Sequence, residues 1–142
     1  MKNTPLSNKM NTLKRYFRKR EDISMAFLFG SVVKGSLTAV SDIDIGVYFI
    51  PKGRSLDYEN PSAHYLEEHG LWLDIERILH REIDFVVLNR APATIADSAL
   101  RGVPIVIKDK GLYLDFLLRV TRDAEDFRDF IEDYWRLKQE AK

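Results

Sequence analysis

Two short apolar runs joined by a polar loop limit how this chain can fold. The first run, SMAFLF, ends in a Gly-Ser pair, and the second, DIDIGVYFI, contains Asp42 and Asp44. Each run has the length and apolar content of a β-strand, and side chains two positions apart on a strand point to the same face. We therefore expect Asp42 and Asp44 to project together, with Cα atoms roughly 6 to 7 Å apart, while Ile43 and Ile45 enter the core.

The two aspartates are costly in a strand. Carboxylates this close raise each other's pKa and repel, and aspartate is a poor strand former. A divalent cation removes the conflict, and hard oxygen ligands suit Mg²⁺ or Mn²⁺, which complete their shells with water and substrate phosphates. The alternative is an exposed strand start whose aspartates face water, and the Asp-x-Asp pattern alone does not decide between the two.

The Gly-Ser pair favours the metal interpretation. Gly30 ends a strand where the backbone must turn tightly, and Ser31 offers a hydroxyl and an amide N–H to a phosphate oxygen. Ten residues separate this pair from Asp42. The sequence therefore predicts a phosphate site beside a metal site.

The rest of the chain alternates between helical and strand patterns. An alternation of this kind indicates an α/β or α+β fold, with one mixed sheet covered by helices. The 142 residues fit a single domain, with a core at about 10–108 and a C-terminal helical segment at about 109–142. Before the two strands, the sequence predicts a helix over 7–20 capped by Ser7. After them it predicts, in order, a loop over 51–62, a helix over 62–81, a strand over 82–89, a short helix over 92–102, a strand over 103–108, and a helical tail over 111–138 interrupted near 121–123.

Composition excludes several classes of protein. Basic and acidic side chains both number 22, so the formal net charge is zero and we expect no direct nucleic-acid binding. The first 20 residues carry seven basic side chains and no acidic one, which we interpret as the solvated face of the first helix. With no cysteine, the chain has no disulfide and fits a reducing compartment. No apolar run reaches a membrane span or a signal peptide, so we expect a cytoplasmic protein without a membrane partner.

At these motifs the chain resembles the nucleotidyltransferases of the DNA polymerase β superfamily, whose signature is Gly-Ser, a spacer of about ten residues, and Asp-x-Asp. Such enzymes draw a third carboxylate from a later strand, and EIDFVVL supplies Asp84. Lys34-Gly35 and Ser41 match the basic-Gly step and the serine before the first aspartate. The resemblance extends over about residues 10–108. As a whole, the chain resembles the minimal nucleotidyltransferases of the MNT type, the antitoxin partners of HEPN-domain ribonuclease toxins.

The resemblance implies a fold, a reaction and a set of site residues. The fold is the polymerase β-like nucleotidyltransferase fold, and the reaction is in-line attack of a hydroxyl on the α-phosphate of a nucleoside triphosphate. Two Mg²⁺ ions, or Mn²⁺, suit that displacement. The implied catalytic and metal-binding residues are Asp42, Asp44 and Asp84, and the implied nucleotide-binding residues are Gly30, Ser31 and Lys34.

For the MNT type, the resemblance implies transfer of AMP from ATP to a tyrosine hydroxyl of a cognate HEPN toxin, in a hetero-oligomer with that toxin. Two alternatives stay open. One is transfer to a small molecule such as an aminoglycoside, although those enzymes generally carry an extra helical domain. The other is a non-catalytic antitoxin that masks its toxin by binding. The Asp-x-Asp of nucleotide-sugar glycosyltransferases is a further chemistry, but it lacks the upstream Gly-Ser pair. No motif specifies the base of the nucleotide or the acceptor.

The tail carries a wide apolar stripe that bears on partners. Its members span an arc of roughly 140° on a helical wheel, which is wide for one packing surface. Aromatic residues beyond those that a core needs are typical of interface anchors, so this stripe is either core or a contact surface for a partner. Its members are Phe116, Leu117, Val120, Ala124, Phe127, Phe130, Ile131, Tyr134 and Trp135.

Overall fold

A computed structural model describes residues 5–30, 43–51, 53 and 56–140, with the side chains of residues 5 and 6 outside that description. Within these ranges the chain forms four helices and four strands. In chain order they are α1 (Pro5–Lys19), β1 (Ile23–Phe29), β2 (Asp44–Phe49), α2 (Glu68–Leu79), β3 (Asp84–Val87), α3 (Ala93–Leu100), β4 (Val103–Ile107) and α4 (Lys110–Glu140).

The four strands form one mixed sheet in the order β3-β2-β1-β4. β1 pairs antiparallel with both β2 and β4, and β2 pairs parallel with β3. The parallel pair needs a crossover connection, and α2 supplies it. The two outer strands are short: β3 has four residues, and β4 has five and contains Pro104.

Helices cover both faces of the sheet, which confirms the predicted α+β class. All seven residues of β1 are buried, as expected for a central strand with a core on each side. On one face, Leu28 packs in a cluster with residues of α1 and α2, such as Phe17 and Ile75. On the other face, Phe27 packs in a cluster with residues of α3 and α4, such as Phe116.

Most predicted elements are present, but two helix starts differ from the prediction. α1 begins at Pro5, so Ser7 lies inside the first turn and is not the predicted cap. α2 begins at Glu68 instead of residue 62. The preceding residues form turns, in which the Ala63 N–H donates to the Asn60 carbonyl at 3.0 Å and the Ser62 N–H donates to Asn60 Oδ1 at 3.1 Å. Asn60 thus satisfies the backbone locally, in competition with a helix.

The predicted interruption near residues 121–123 is wrong, because α4 runs unbroken from Lys110 to Glu140. The hydroxyl of Thr121 donates to the Leu117 carbonyl at 2.7 Å, within the helix. Asp123 forms an ion pair with Arg119 one turn earlier, at 3.4 Å. Both polar side chains therefore find partners along the helix and do not end it. None of the helices in the described part of the chain combines the length and apolarity needed to cross a bilayer.

Candidate active site

The predicted site residues that the structure describes meet at one edge of the sheet. Phe29, the last residue of β1, pairs with Asp44 at the start of β2. Asp44 pairs in turn with Asp84 at the start of β3, and the Asp84 N–H donates to the Ile43 carbonyl at 2.8 Å. Because β2 pairs antiparallel with β1 and parallel with β3, the end of β1 lies beside the starts of β2 and β3.

Gly30, in the turn after β1, lies close to the carboxylate of Asp44. Its φ of +91° lies in the region that L side chains rarely adopt. A Cβ at this position would lie 2.0 Å from Asp44 Oδ2 and 3.0 Å from Asp44 Cγ. The backbone conformation therefore favours glycine, and a Cβ at this position would displace the Asp44 carboxylate, which lies directly against this turn.

Gly30, Asp44 and Asp84 lie within the described residues, whereas Ser31, Lys34 and Asp42 lie outside them. The sequence predicted that Ile43 and Ile45 enter the core on either side of Asp44, and both are buried. Asp44 is half-buried and Asp84 is exposed.

The described donors are of the kind that Mg²⁺ binds. Asp44 and Asp84 offer carboxylate oxygens from paired positions on neighbouring strands, and hard oxygen ligands are what Mg²⁺ prefers. Across the described ranges, no group of three or more histidine, aspartate or glutamate side chains is placed to hold a metal ion. The third carboxylate of the predicted set, Asp42, is outside those ranges.

A cleft of about 280 Å³ opens beside Asp84. We call it the Trp72 cleft, and it was not predicted from the sequence. Its lining comes from the starts of β2 and β3 and from one side of α2. The described residues that line it are Ile43, Trp72, Glu76, Glu82, Ile83 and Asp84.

Hydrogen bonds and ring stacking hold the α2 side of this cleft. The Trp72 indole stacks on the Phe85 ring, with centroids 5.8 Å apart and planes 14° apart. The indole N–H donates to Glu76 Oε2 at 3.1 Å, and the same oxygen accepts the Ile83 N–H at 3.0 Å. Glu76 thereby links α2 to the residues that lead into β3, and the indole has a defined orientation.

An ion pair fixes the start of α2 to the loop after β3. Arg90 donates from Nη2 to Glu68 Oε1 at 2.7 Å, and from Nη1 to Glu68 Oε2 and to the Ala63 carbonyl, both at 2.8 Å. Glu68 also accepts the Tyr65 N–H at 2.8 Å. The hydrogen bond from Arg90 lowers the pKa of Glu68 below its ordinary value. This contact therefore stabilises the helix that carries Trp72.

The apolar stripe of α4 divides into a buried and an exposed part. Phe116, Val120 and Ala124 are buried in the core. Farther along the helix, the aromatic side chains are 49 to 65% exposed. We call this exposed set the distal aromatic face, and it consists of Phe127, Phe130, Tyr134 and Trp135.

Comparisons with known proteins find one matching family model and several solved structures with a similar fold. The family model described as "Polymerase beta, Nucleotidyltransferase" matches residues 11–111. Three chains of solved toxin–antitoxin structures share the fold. A chain from a crystal structure with AMP-PNP is 19% identical, with 90% of this chain and 97% of that chain covered and a TM-score of 0.63. A chain from a mutant of MntA–HpeT is 20% identical, with 95% and 99% of the two chains covered and a TM-score of 0.62, and a chain from a tri-AMPylated Shewanella oneidensis HEPN toxin in complex with MNT antitoxin is 14% identical, with 93% and 99% covered and a TM-score of 0.61. A search of curated protein sequences finds no match.

Proposed function

The chain belongs to the polymerase β nucleotidyltransferase family, and we propose that it acts as an antitoxin by transferring AMP from ATP to a tyrosine hydroxyl of a HEPN ribonuclease toxin. Two of the similar solved structures support the choice of substrate and partner. One contains the ATP analogue AMP-PNP, and the other contains a toxin that carries AMP groups.

The observation that carries the proposal is the pairing of Asp44 with Asp84 beside Gly30. These three residues come from three different strands or strand ends. They combine a turn suited to phosphate with two carboxylates on neighbouring strands, as phosphoryl or nucleotidyl transfer requires. A strand start whose carboxylates merely face water does not account for the close approach of the Asp44 carboxylate to Gly30.

The donor set fits two divalent cations in this proposal. Asp42 and Asp44 would hold both Mg²⁺ ions, and Asp84 would bind the one on the side of the attacking hydroxyl. When bound, the ions neutralise charge on the phosphates and lower the pKa of the attacking hydroxyl.

The residues of this chain then have separate roles. The backbone at Gly30 and Ser31, with the Ser31 hydroxyl, binds the terminal phosphates of ATP, and Lys34 adds positive charge there. Asp84 accepts the proton of the tyrosine hydroxyl, directly or through water. The hydroxyl oxygen forms a bond to the α-phosphorus, while the bond from that phosphorus to the bridging oxygen breaks and pyrophosphate leaves with the electron pair.

The distal aromatic face of α4 is the surface that we assign to the toxin. Large exposed aromatic side chains are enriched among the residues that contribute most to binding energy at interfaces. The same observation favours a second candidate function, in which the chain neutralises the toxin by binding alone.

Intact-mass spectrometry of the toxin tests AMP transfer. The toxin is incubated with ATP and Mg²⁺ and with the wild-type chain, Asp42→Asn or Asp84→Asn. We expect the wild type to raise the mass of the toxin by one or more AMP units, about 329 Da each, and both variants to leave it unchanged. Reactions without ATP and reactions with EDTA are the controls.

An unchanged toxin mass with all three proteins would reject AMP transfer to the toxin. If the ribonuclease is nevertheless fully inhibited in all three reactions, the function is masking of the toxin and not AMP transfer. Full transfer by Asp42→Asn would instead reject the assignment of the carboxylates.

A further inference from the structure

We propose that the Trp72 cleft binds the acceptor and selects a tyrosine with basic residues next to it in the acceptor protein. This inference rests on the proposed AMP transfer, because the cleft is assigned to the acceptor of that reaction. It adds a binding site on α2 and β3 and the chemical character of the segment that this site takes.

The position of the cleft gives the first argument. Asp84 is both a member of the cleft lining and the strand partner of Asp44. In the strand order, Gly30 at the end of β1 and Asp84 at the start of β3 lie on opposite sides of Asp44. A nucleotide bound at the Gly30 turn therefore leaves the Asp84 side to the acceptor, and a hydroxyl in the cleft lies next to the carboxylate that would take its proton.

The aromatic wall gives the second argument. Trp72 is 39% exposed although it is a large apolar side chain, and its orientation is set by Phe85 and Glu76. An indole held in this way can pack against another aromatic ring without first losing conformational freedom. A tyrosine side chain provides such a ring and carries the hydroxyl at its end.

The charge and size of the cleft give the third argument. Among the described residues that line the cleft, three are carboxylates, namely Glu76, Glu82 and Asp84, and none is cationic. Such a lining attracts basic groups and repels acidic ones. The volume of about 280 Å³ is just below the roughly 300 to 1,000 Å³ range of small-molecule pockets, which suits one or two side chains of a protein segment.

A polycationic aminoglycoside would satisfy the charge of the cleft as well, so it is the competing occupant. We favour the protein segment, because the aromatic ring of a tyrosine can pack flat against the Trp72 indole. The experiments therefore include an aminoglycoside as a separate probe.

Steady-state kinetics of AMP transfer to the toxin test the site. The variants are Trp72→Ala and Glu82→Lys, and the matched control is Leu73→Ala, which removes a 43% exposed side chain next to Trp72 that does not line the cleft. We expect each cleft variant to raise the KM for the toxin about tenfold, with kcat and the KM for ATP within about twofold of wild type. Leu73→Ala should leave all three constants unchanged.

The cleft assignment is overturned if the cleft variants change the KM for ATP instead, or if Leu73→Ala matches Trp72→Ala. Because Glu82 is exposed, Glu82→Lys keeps the test valid even if Trp72→Ala fails to fold.

Direct binding separates this inference from the proposed function. The chain has two tryptophans, so in Trp135→Phe the fluorescence reports on Trp72 alone. We expect a synthetic peptide with tyrosine between arginines to change this fluorescence saturably, and the same peptide with glutamate in place of arginine to bind at least about tenfold more weakly. If the peptides bind as expected but wild type transfers no AMP to the toxin, the proposed function fails and the cleft stands.

If neither peptide binds, the inference fails whatever the transfer assay shows. It also fails if kanamycin changes the Trp72 fluorescence and the arginine peptide does not, since the acceptor is then a small molecule.

Discussion

At the scale of single residues, Gly30 is a position in the candidate site that leaves little room for substitution. Its positive φ and the closeness of the Asp44 carboxylate, which would clash with any Cβ at this position, act together. If positive φ were the only constraint, another residue could replace this glycine at the cost of local backbone strain. At Gly30, a replacement must in addition move a carboxylate that we assign to catalysis.

We therefore expect Gly30→Ala to reduce AMP transfer by at least about 100-fold, because a displacement of about 1 Å at a reacting centre can have that effect. The same substitution should lower the free energy of unfolding by about 1 to 3 kcal/mol, since it strains the backbone. Transfer assays and urea denaturation measure the two effects.

Gly70→Ala is the matched control for this prediction. Gly70 lies in α2, and among the described residues outside the helix backbone a Cβ there would meet Glu67 Oε2, at an ordinary 3.6 Å. Because alanine is the better helix former, we expect Gly70→Ala to raise the free energy of unfolding by up to about 1 kcal/mol and leave transfer unchanged. Equal activity of the two alanine variants would contradict the assignment of Gly30.

The Glu68–Arg90 pair predicts a dependence of stability on pH. The pKa of Glu68 is lower in the folded protein than its ordinary value of 4.5, so the unfolded chain binds the proton more tightly. The contribution of the pair is then fully present above pH 4.5 and is lost as the pH falls through the folded pKa. We expect Glu68→Gln to cost about 1 to 2 kcal/mol at pH 7, after allowance for partial exposure, and progressively less in acid.

Denaturant titrations of wild type and Glu68→Gln across this pH range measure the difference. The control is Arg77→Ala, whose side chain is 74% exposed in its ion pair with Asp74 and should contribute less than about 0.5 kcal/mol. A difference between wild type and Glu68→Gln that stays constant in acid would show that the carboxylate charge is not what stabilises the contact.

The meeting of Gly30, Asp44 and Asp84 in the candidate site could be predicted from the sequence, because they stand at strand ends that hydrophobic patterns locate. The Trp72 cleft could not be predicted in this way. Its lining depends on how α2 packs beside the start of β3, and in the sequence Trp72 is one of three consecutive apolar residues. The hydrogen bond from the Ile83 N–H to Glu76 leaves no pattern at all.

At the scale of elements, the strands were predicted better than the helix boundaries. β1 lies between Asp22 and Gly30, and β2 begins at Asp44, whereas the start of α2 follows turns held by local hydrogen bonds such as those of Asn60. For α4, one wide apolar stripe was ambiguous between core and interface. The structure resolves it into two successive surfaces on one unbroken helix.

This division of α4 predicts separable effects of mutations. Phe130→Ala with Trp135→Ala should weaken binding of the toxin about 10- to 100-fold, because both side chains belong to the distal aromatic face. ATP binding should stay at the wild-type level, and the free energy of unfolding should change by less than about 1 kcal/mol. Calorimetric titrations with each ligand and a denaturation curve measure the three quantities.

Phe116→Ala is the contrasting variant on the same helix. Phe116 is buried and packs against the Tyr48 ring, with centroids 4.8 Å apart, so its loss should cost about 3 to 5 kcal/mol of stability. If the double variant loses stability to the same extent while its binding of the toxin is normal, the distal aromatic face belongs to the core.

At the scale of the whole molecule, transfer and masking predict different stoichiometries. A catalyst in substoichiometric amount, with ATP and Mg²⁺, should inactivate an excess of toxin, and the toxin should stay inactive after the antitoxin is removed. A masking protein protects only as far as mass action keeps the toxin occupied. Ribonuclease activity measured against the molar ratio, before and after removal of the antitoxin, distinguishes the two.

A stoichiometric end point that is independent of ATP would contradict catalysis. Recovery of ribonuclease activity on removal of the antitoxin would do the same.

The two outer strands of the sheet also restrict how partners can assemble on this chain. β3 offers only four residues, and Pro104 in β4 has no N–H to donate. Strands of this kind are poor templates for an added strand from another chain. Growth of the sheet across molecules is thus disfavoured at both ends, which protects against edge-to-edge aggregation and leaves side-chain surfaces on helices and clefts as the means of association.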